Sequence, residues 1–209
     1  MKNVATTVLV MVLMSTIAYS QTFKVTGGVN VMTLKTTFES PTGNIPTDPT
    51  DPTDESDLPV RLAHTNNRNV NGESSLVTSK NTNNETGFFL GLALSDITLF
   101  NNFNLQPEIR FVVVKDFNQI QVPVLLKYGI TEKLHASAGP NLAFLLDTGD
   151  GVKSFNFALD FGVSYDISDK VSLDARYDWG LTNLLKDGDS NNYLKINNIQ
   201  LGVVYHFGK

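Results

Sequence analysis

A chain of 209 residues is long enough for one good-sized domain and short for two. Its net charge of -5 and isoelectric point near 5.1, with no basic patch, exclude a nucleic-acid partner held through its phosphates. The absence of cysteine excludes disulfides, thiolate zinc sites, cysteine nucleophiles and a lipoprotein anchor together.

The opening segment, MKNVATTVLVMVLMSTIAYSQ, has Lys2, an apolar run to Ile17 and then Ala18-Tyr19-Ser20. This is the layout of a signal peptide over 1–20, cleaved near Ser20/Gln21, so 21–209 is the expected exported protein. Residues 37–86 differ from the rest of the chain. TGNIPTDPTDPTDESD repeats a P-T-D unit, and HTNNRNVNGE and SKNTNNETG are rich in Asn, so the segment has too little apolar surface to offset the entropy of ordering it. A long polar loop is expected there. Its aspartates lack the glycine and glutamate spacing of an EF-hand.

From Gly87 the signal has period two. In SFNFALDFGVSYDI one face carries Phe155, Phe157, Leu159, Phe161, Val163, Tyr165 and Ile167, the other Asn156, Ala158, Asp160, Gly162, Ser164 and Asp166. VSLDARYDWGLT and NNIQLGVVYHF alternate in the same way, with Val204 the exception. Such alternation predicts strands with a different solvent on each face. Eight are expected, at about 22–36, 87–98, 103–115, 118–130, 134–147, 154–167, 171–183 and 196–207. Their connections alternate between tight (LFNN, TEK, SDK) and mostly long, which predicts an all-β, eight-stranded antiparallel up-and-down transmembrane barrel. The tight turns then lie in the periplasm, and the long first loop lies outside the cell.

The composition of the two faces decides which one meets lipid. Large Phe, Tyr, Trp and Leu side chains would overfill an eight-stranded interior, whereas Gly, Ala, Ser and Asn fit it. The interior is therefore expected to hold a mixed-sign cluster of Lys24, Glu108, Arg110, Lys127, Asp160, Asp174, Arg176 and Asp178 that forms a hydrogen-bonded plug. The interfacial aromatic girdles are expected at Tyr128, Tyr165, Tyr205 and Phe207 near the short turns, and at Phe144, Phe155 and Trp179 near the long loops. Apolar positions must face apolar ones across the hairpin at SDK, so paired residue numbers there have an even sum, and a three-residue turn makes that sum 338. Gly162 is then opposite Arg176, Asp160 is opposite Asp178, and Arg176 reaches Asp160, Asp174 or Glu108.

The stretches FNLQPEIRF, IQVPVLLKYGI, HASAGPNLAFLL, LDFGVSYDISDKVSLDARYDWGLTNLL and IQLGVVYHF, in this order, resemble the PorT-like family of outer-membrane β-barrels across nearly all of 87–207. The resemblance implies outer-membrane lipids as surroundings and insertion by the barrel-assembly machinery, directed by a terminal strand ending in an aromatic. Here Gly208 and Lys209 follow Phe207. Family members have varied roles, one of them protein secretion, and no catalytic residues are carried over.

Two features could suggest chemistry. LLDTGDG, residues 145–151, reads like the catalytic strand of an aspartic protease, but no second D-T-G is present, and the residues suit a turn between strands. His64, His135 and His206 stand far apart and read as isolated polar histidines, so no metal, cofactor or enzyme activity is expected. The expectation is a non-enzymatic scaffold that displays surface loops, in envelope organisation or protein secretion, toward an envelope or extracellular partner that the sequence does not name. A narrow solute channel and a soluble, lipocalin-like carrier of an apolar ligand are the alternatives.

Overall fold

A computed structural model describes residues 23–41, 76–94, 97–146 and 148–207. Nine strands follow in order: β1 (Phe23–Pro41), β2 (Leu76–Leu94), β3 (Ile97–Phe100), β4 (Phe103–Val113), β5 (Gln119–Gly129), β6 (Leu134–Leu145), β7 (Phe155–Ser168), β8 (Val171–Gly180) and β9 (Tyr193–His206). Each is antiparallel to its neighbours, in the order β2-β1-β9-β8-β7-β6-β5-β4-β3. A further ladder, from Phe88↔Val113 to Ala93↔Glu108, joins β2 to β4 and closes the sheet on itself. Because β2 and β3 pair with successive parts of β4, they form one stave. The fold is a closed eight-stave barrel.

Alternation sets the two surfaces. Phe88, Leu90 and Leu92 of β2, Phe161, Val163 and Tyr165 of β7, and Leu173, Tyr177 and Trp179 of β8 stand exposed on the outside, while Asn156, Asp160, Ser164, Asp174 and Asp178 between them are buried within. Ten residue steps separate Phe155 from Tyr165 on β7. At roughly 3.3 Å per step and about 40° of tilt they climb about 25 Å, the height of an outer-membrane apolar band.

From β4 onward the strands lie within three residues of their expected bounds. The larger difference concerns the segment 37–86, expected to be loop throughout. Here β1 and β2 each run 19 residues and stay paired from Phe23↔Leu94 to Pro41↔Leu76, so 37–41 and 76–86 are strand. Beyond the membrane both faces of a hairpin meet water, so the apolar alternation vanishes while β-branched threonines still favour extended backbone. Cross-strand polar bonds take over, as Thr33 Oγ1 to Asn84 Oδ1 at 2.9 Å and Thr78 Oγ1 to Glu39 Oε1 at 3.2 Å show.

The tight connections use residues that tolerate positive φ. Asn101 (φ 45°) turns β3 into β4, and Asp116 (φ 63°) turns β4 into β5. The β7–β8 ladder keeps the sum 338 from Ala158↔Gly180 to Asp166↔Ser172, then shifts between Asp166 and Ser168, so that Ser168 pairs with Val171 at the tip.

Candidate functional site: the barrel lumen

The lumen is filled in three layers. At the outer end Met32, Leu34, Phe89, Val112, Val114, Leu145, Leu194 and Ile196 turn inward and pack around Leu184, which the β8–β9 connection lowers into the barrel mouth. Leu184 is held there at both ends. Its N–H donates to Leu194 O at 2.8 Å, and its carbonyl accepts from Lys153 N at 2.7 Å.

Below this apolar cap lies the charged layer. Lys24, Arg110, Lys127 and Arg176 are buried with Glu108, Asp160, Asp174 and Asp178, so four cations meet four carboxylates. The balance matters because an unpaired buried charge costs several kcal/mol. Arg176 is the hub: Nη2 reaches Glu108 Oε1 at 2.7 Å, Nε reaches Asp174 Oδ2 at 2.6 Å, and Nη1 lies 3.5 Å from Asp160 Oδ2. Arg110 pairs with Glu108 Oε2 at 2.7 Å and also donates to Gln200. Phe89 of the cap lies over the Arg110 guanidinium, 5.2 Å from ring centroid to Cζ.

Amides extend the network across the lumen. Lys24 Nζ donates to Gln106 Oε1 at 2.9 Å, and Gln106 donates to Glu108. Gln200 donates to Gln121 Oε1 at 3.1 Å, while Gln121 and Asn198 each donate to Asp178 Oδ2 at 3.3 Å. Asp160 and Asp178 are direct cross-strand partners; Asp178 is held by these amide donors and Asp160 by Arg176.

Inward glycines make room for the arginine stems. Gly91 pairs with Arg110 and Gly162 with Arg176, and a Cβ at these glycines would stand 2.7 Å and 3.2 Å from the Cγ of the paired arginine. Gly202, opposite Asp174, similarly accommodates the Phe89 ring, 2.7 Å from a Cβ position.

The third layer, at the periplasmic mouth, joins residues read in sequence as separate. Ser172 Oγ donates to Asp166 Oδ1 at 2.6 Å and lies 2.7 Å from His206 Nε2, while His135 Nε2 lies 3.1 Å from Asp166 Oδ2. His135 and His206 are thus linked through one carboxylate and one hydroxyl. A hydrolytic triad needs the carboxylate on the far nitrogen of the histidine, leaving the hydroxyl proton to the imidazole. Here the hydroxyl proton goes to Asp166 instead, so the serine is not activated. His64 lies outside the described residues.

The D-T-G stretch falls in the β6–β7 connection, and its Asp147 lies outside the described residues. Gly151 has φ 88°, the backbone state a turn glycine supplies, and Val152 N donates to Gly149 O at 3.3 Å. Of the two glycines in this stretch, Gly151 alone has a positive φ.

On the outside, the residues assigned to the girdles are exposed in two groups. Near the short turns stand Tyr128, Tyr165, Tyr205 and Phe207, with Tyr128 4.8 Å from Phe103 and Tyr205 4.8 Å from Phe207 between ring centroids. Toward the long loops stand Phe144, Phe155 and Trp179, with the two phenylalanine rings 5.4 Å apart.

No curated protein matches the chain. Similar solved structures include a de novo designed transmembrane β-barrel, with 11% identity over 86% of this chain and 95% of that one at a TM-score of 0.42. Ail, the attachment invasion locus protein of Yersinia pestis, is 14% identical over 90% of this chain and 99% of its own, with a TM-score of 0.41. Neisserial surface protein A is 15% identical over 88% and 97%, with a TM-score of 0.38. The outer membrane protein β-barrel domain family matches residues 5–207, nearly the whole chain, and this protein therefore belongs to that family of the bacterial outer membrane.

Proposed function

We propose that the protein is a non-enzymatic outer-membrane scaffold of the PorT-like kind, whose plugged barrel anchors and displays the segment between β1 and β2 for envelope organisation or protein secretion. The filled lumen carries this reading. An apolar cap around Leu184, a neutralised ion network around Arg176 and the Ser172–His206 mouth follow one another along the axis. Eight staves leave little cross-section beyond such side chains, and open diffusion pores take many more. The order of the Ser172, Asp166 and His206 contacts favours a structural role for Ser172, the one hydroxyl among the described residues that neighbours both an acid and an imidazole.

In this reading the chain is exported through a signal peptide cleaved near Ser20/Gln21. The barrel-assembly machinery inserts it by recognising the terminal strand that ends at Phe207. Its partner is an envelope or extracellular protein. Planar-bilayer recording on the refolded protein tests the plug: the reading expects no stepwise conductance, and reproducible unitary steps from wild-type protein would establish a channel instead. Fractionation is the test against the soluble carrier, with a heat-modifiable band expected in the outer-membrane fraction.

A further inference from the structure

The outer wall of the barrel carries a second site, independent of the lumen. Lys35 of β1 and Lys195 of β9 are direct cross-strand partners, and both belong to the outward-facing set. Like charges directly opposite on a sheet repel. Among the described residues neither forms an ion pair with a carboxylate. The contact of Lys195 Nζ with the Tyr193 ring, 5.6 Å from the centroid, leaves its charge intact. Lys80, opposite Thr37 on β2, adds a third exposed cation on this face.

The two lysines line a cleft of about 500 Å³ between the β8–β9 connection and the barrel wall, with Trp179, Leu181 and Tyr193 as its apolar surfaces. One carboxylate, Asp189, also lines it, but that charge is turned into its own loop. Asp189 Oδ1 accepts from Asn191 N at 2.8 Å and Asn192 N at 2.7 Å. The loop itself is firmly built. Asn183 donates to Asp189 O and Asn192 O at 3.1 and 3.0 Å and accepts from Leu185 N and Leu194 N at 3.1 and 3.2 Å.

Height along the wall selects the ligand. Val31↔Ile199 is an outward apolar pair of the β1–β9 ladder, and Lys35↔Lys195 stands four residues beyond it. Four residues climb about 10 Å at barrel tilt, from the acyl region to headgroup depth. The site is therefore cationic where phosphates lie and apolar immediately below. Trp179 and Tyr193 also offer flat ring faces suited to the C–H face of a sugar.

We infer that this cleft binds a phosphorylated, acylated saccharide of the outer leaflet, with its phosphate between Lys35 and Lys195 and its acyl chains along Trp179, Leu181 and Ile199.

The test uses the full chain in phosphatidylcholine vesicles, with emission from Trp179, the single tryptophan, as the readout. Vesicles are doped with diphosphoryl lipid A, with its phosphate-free analogue, or with phosphatidylglycerol, and a fourth set receives inorganic phosphate in the buffer. A saturable change is expected with lipid A alone. K35Q/K195Q should raise the half-saturating mole fraction at least tenfold, K35R/K195R should leave it within about threefold, and K170Q, at the opposite end of the barrel, should leave it unchanged. Heat-modifiability verifies the folding of each variant, and the single K195Q replaces the double variant if the latter does not fold. Equal titrations for wild type and glutamine variant would overturn the assignment. So would saturation by phosphatidylglycerol at the same mole fraction, or by the phosphate-free analogue, and a change with inorganic phosphate alone would make this a free-anion site.

Discussion

Arg176 lies directly across the β7–β8 ladder from Gly162, and a Cβ at Gly162 would stand 3.2 Å from Arg176 Cγ and 2.5 Å from Ser137 Oγ. The missing side chain leaves room for the Arg176 stem, whose guanidinium reaches three carboxylates. Gly162→Val should therefore displace Arg176 and destabilise the barrel by about 1–3 kcal/mol, as overpacking does elsewhere. Urea unfolding in detergent measures this, with Gly149→Ala, which meets nothing within 4 Å, as the neutral control.

Removing the guanidinium should cost more than crowding it. Arg176→Met takes from Asp160 its ion pair and leaves Glu108 and Asp174 to Arg110, and breaking a buried pair from one side costs about 3–5 kcal/mol. Adding Asp160→Asn to Arg176→Met should recover part of the loss, because it removes the carboxylate that Arg110 does not pair with. If the double variant is less stable than Arg176→Met in the same urea titration, Asp160 is compensated by something other than Arg176.

Trp179 tests which solvent the outer face meets. In vesicles its emission should be quenched strongly by lipids brominated at shallow acyl positions, less by deeply brominated ones, and weakly by aqueous iodide. A folded protein whose emission ignores brominated lipid would place the indole away from the bilayer.

Asp189 gives the outer loop a dependence on acid. The backbone amides of Asn191 and Asn192, donating to its carboxylate, hold its pKa below the ordinary 3.8. A depressed folded-state value means the ordering contribution is complete above the ordinary value and is lost as pH falls through the lowered one. The protection factors of the Asn191 and Asn192 amides should thus stay high at neutral pH and down to about pH 4, then fall below the carboxylate range. Asp189→Ala should show the low factors at neutral pH.

Excising 43–74 and joining the ends of β1 and β2 through an Asn-Gly turn should leave a heat-modifiable barrel. Loop length contributes little to closure entropy, and the β1–β2 ladder out to Pro41↔Leu76 is available to set the register. Loss of the heat-modifiable form would show that this segment takes part in folding.

The readable parts of the sequence were those where the two faces meet different solvents. Alternation makes the paired sum even and the tight turn at SDK fixes it at 338, which together place Gly162 opposite Arg176. It fails where the solvents become alike. Outside the membrane Thr78 to Thr86 of β2 are exposed or half-buried on both faces, so they carry no apolar phase and read as loop. Inside the cap both faces are apolar: Val112 and Val114 point inward beside outward Phe111 and Val113, and periodicity does not separate a plug from a lipid face. The mouth cluster was hidden by separation along the chain. His135, Asp166, Ser172 and His206 lie on four strands, and their shared inward phase at strand ends was the signal that could have joined them.

The lumenal bonds also bear on assembly. Arg176 and Glu108 are 68 residues apart, Lys24 and Gln106 are 82, and Arg110 and Gln200 are 90. None of these contacts exists in an isolated hairpin. A partly closed sheet in the bilayer would turn both arginines toward hydrocarbon with only the carboxylate two residues away on the same strand, Asp174 or Glu108, as counter-charge, and would leave its edge strands unpaired. Closing the seam is what brings these distant partners together, so the ion network acts as a latch on the completed cylinder.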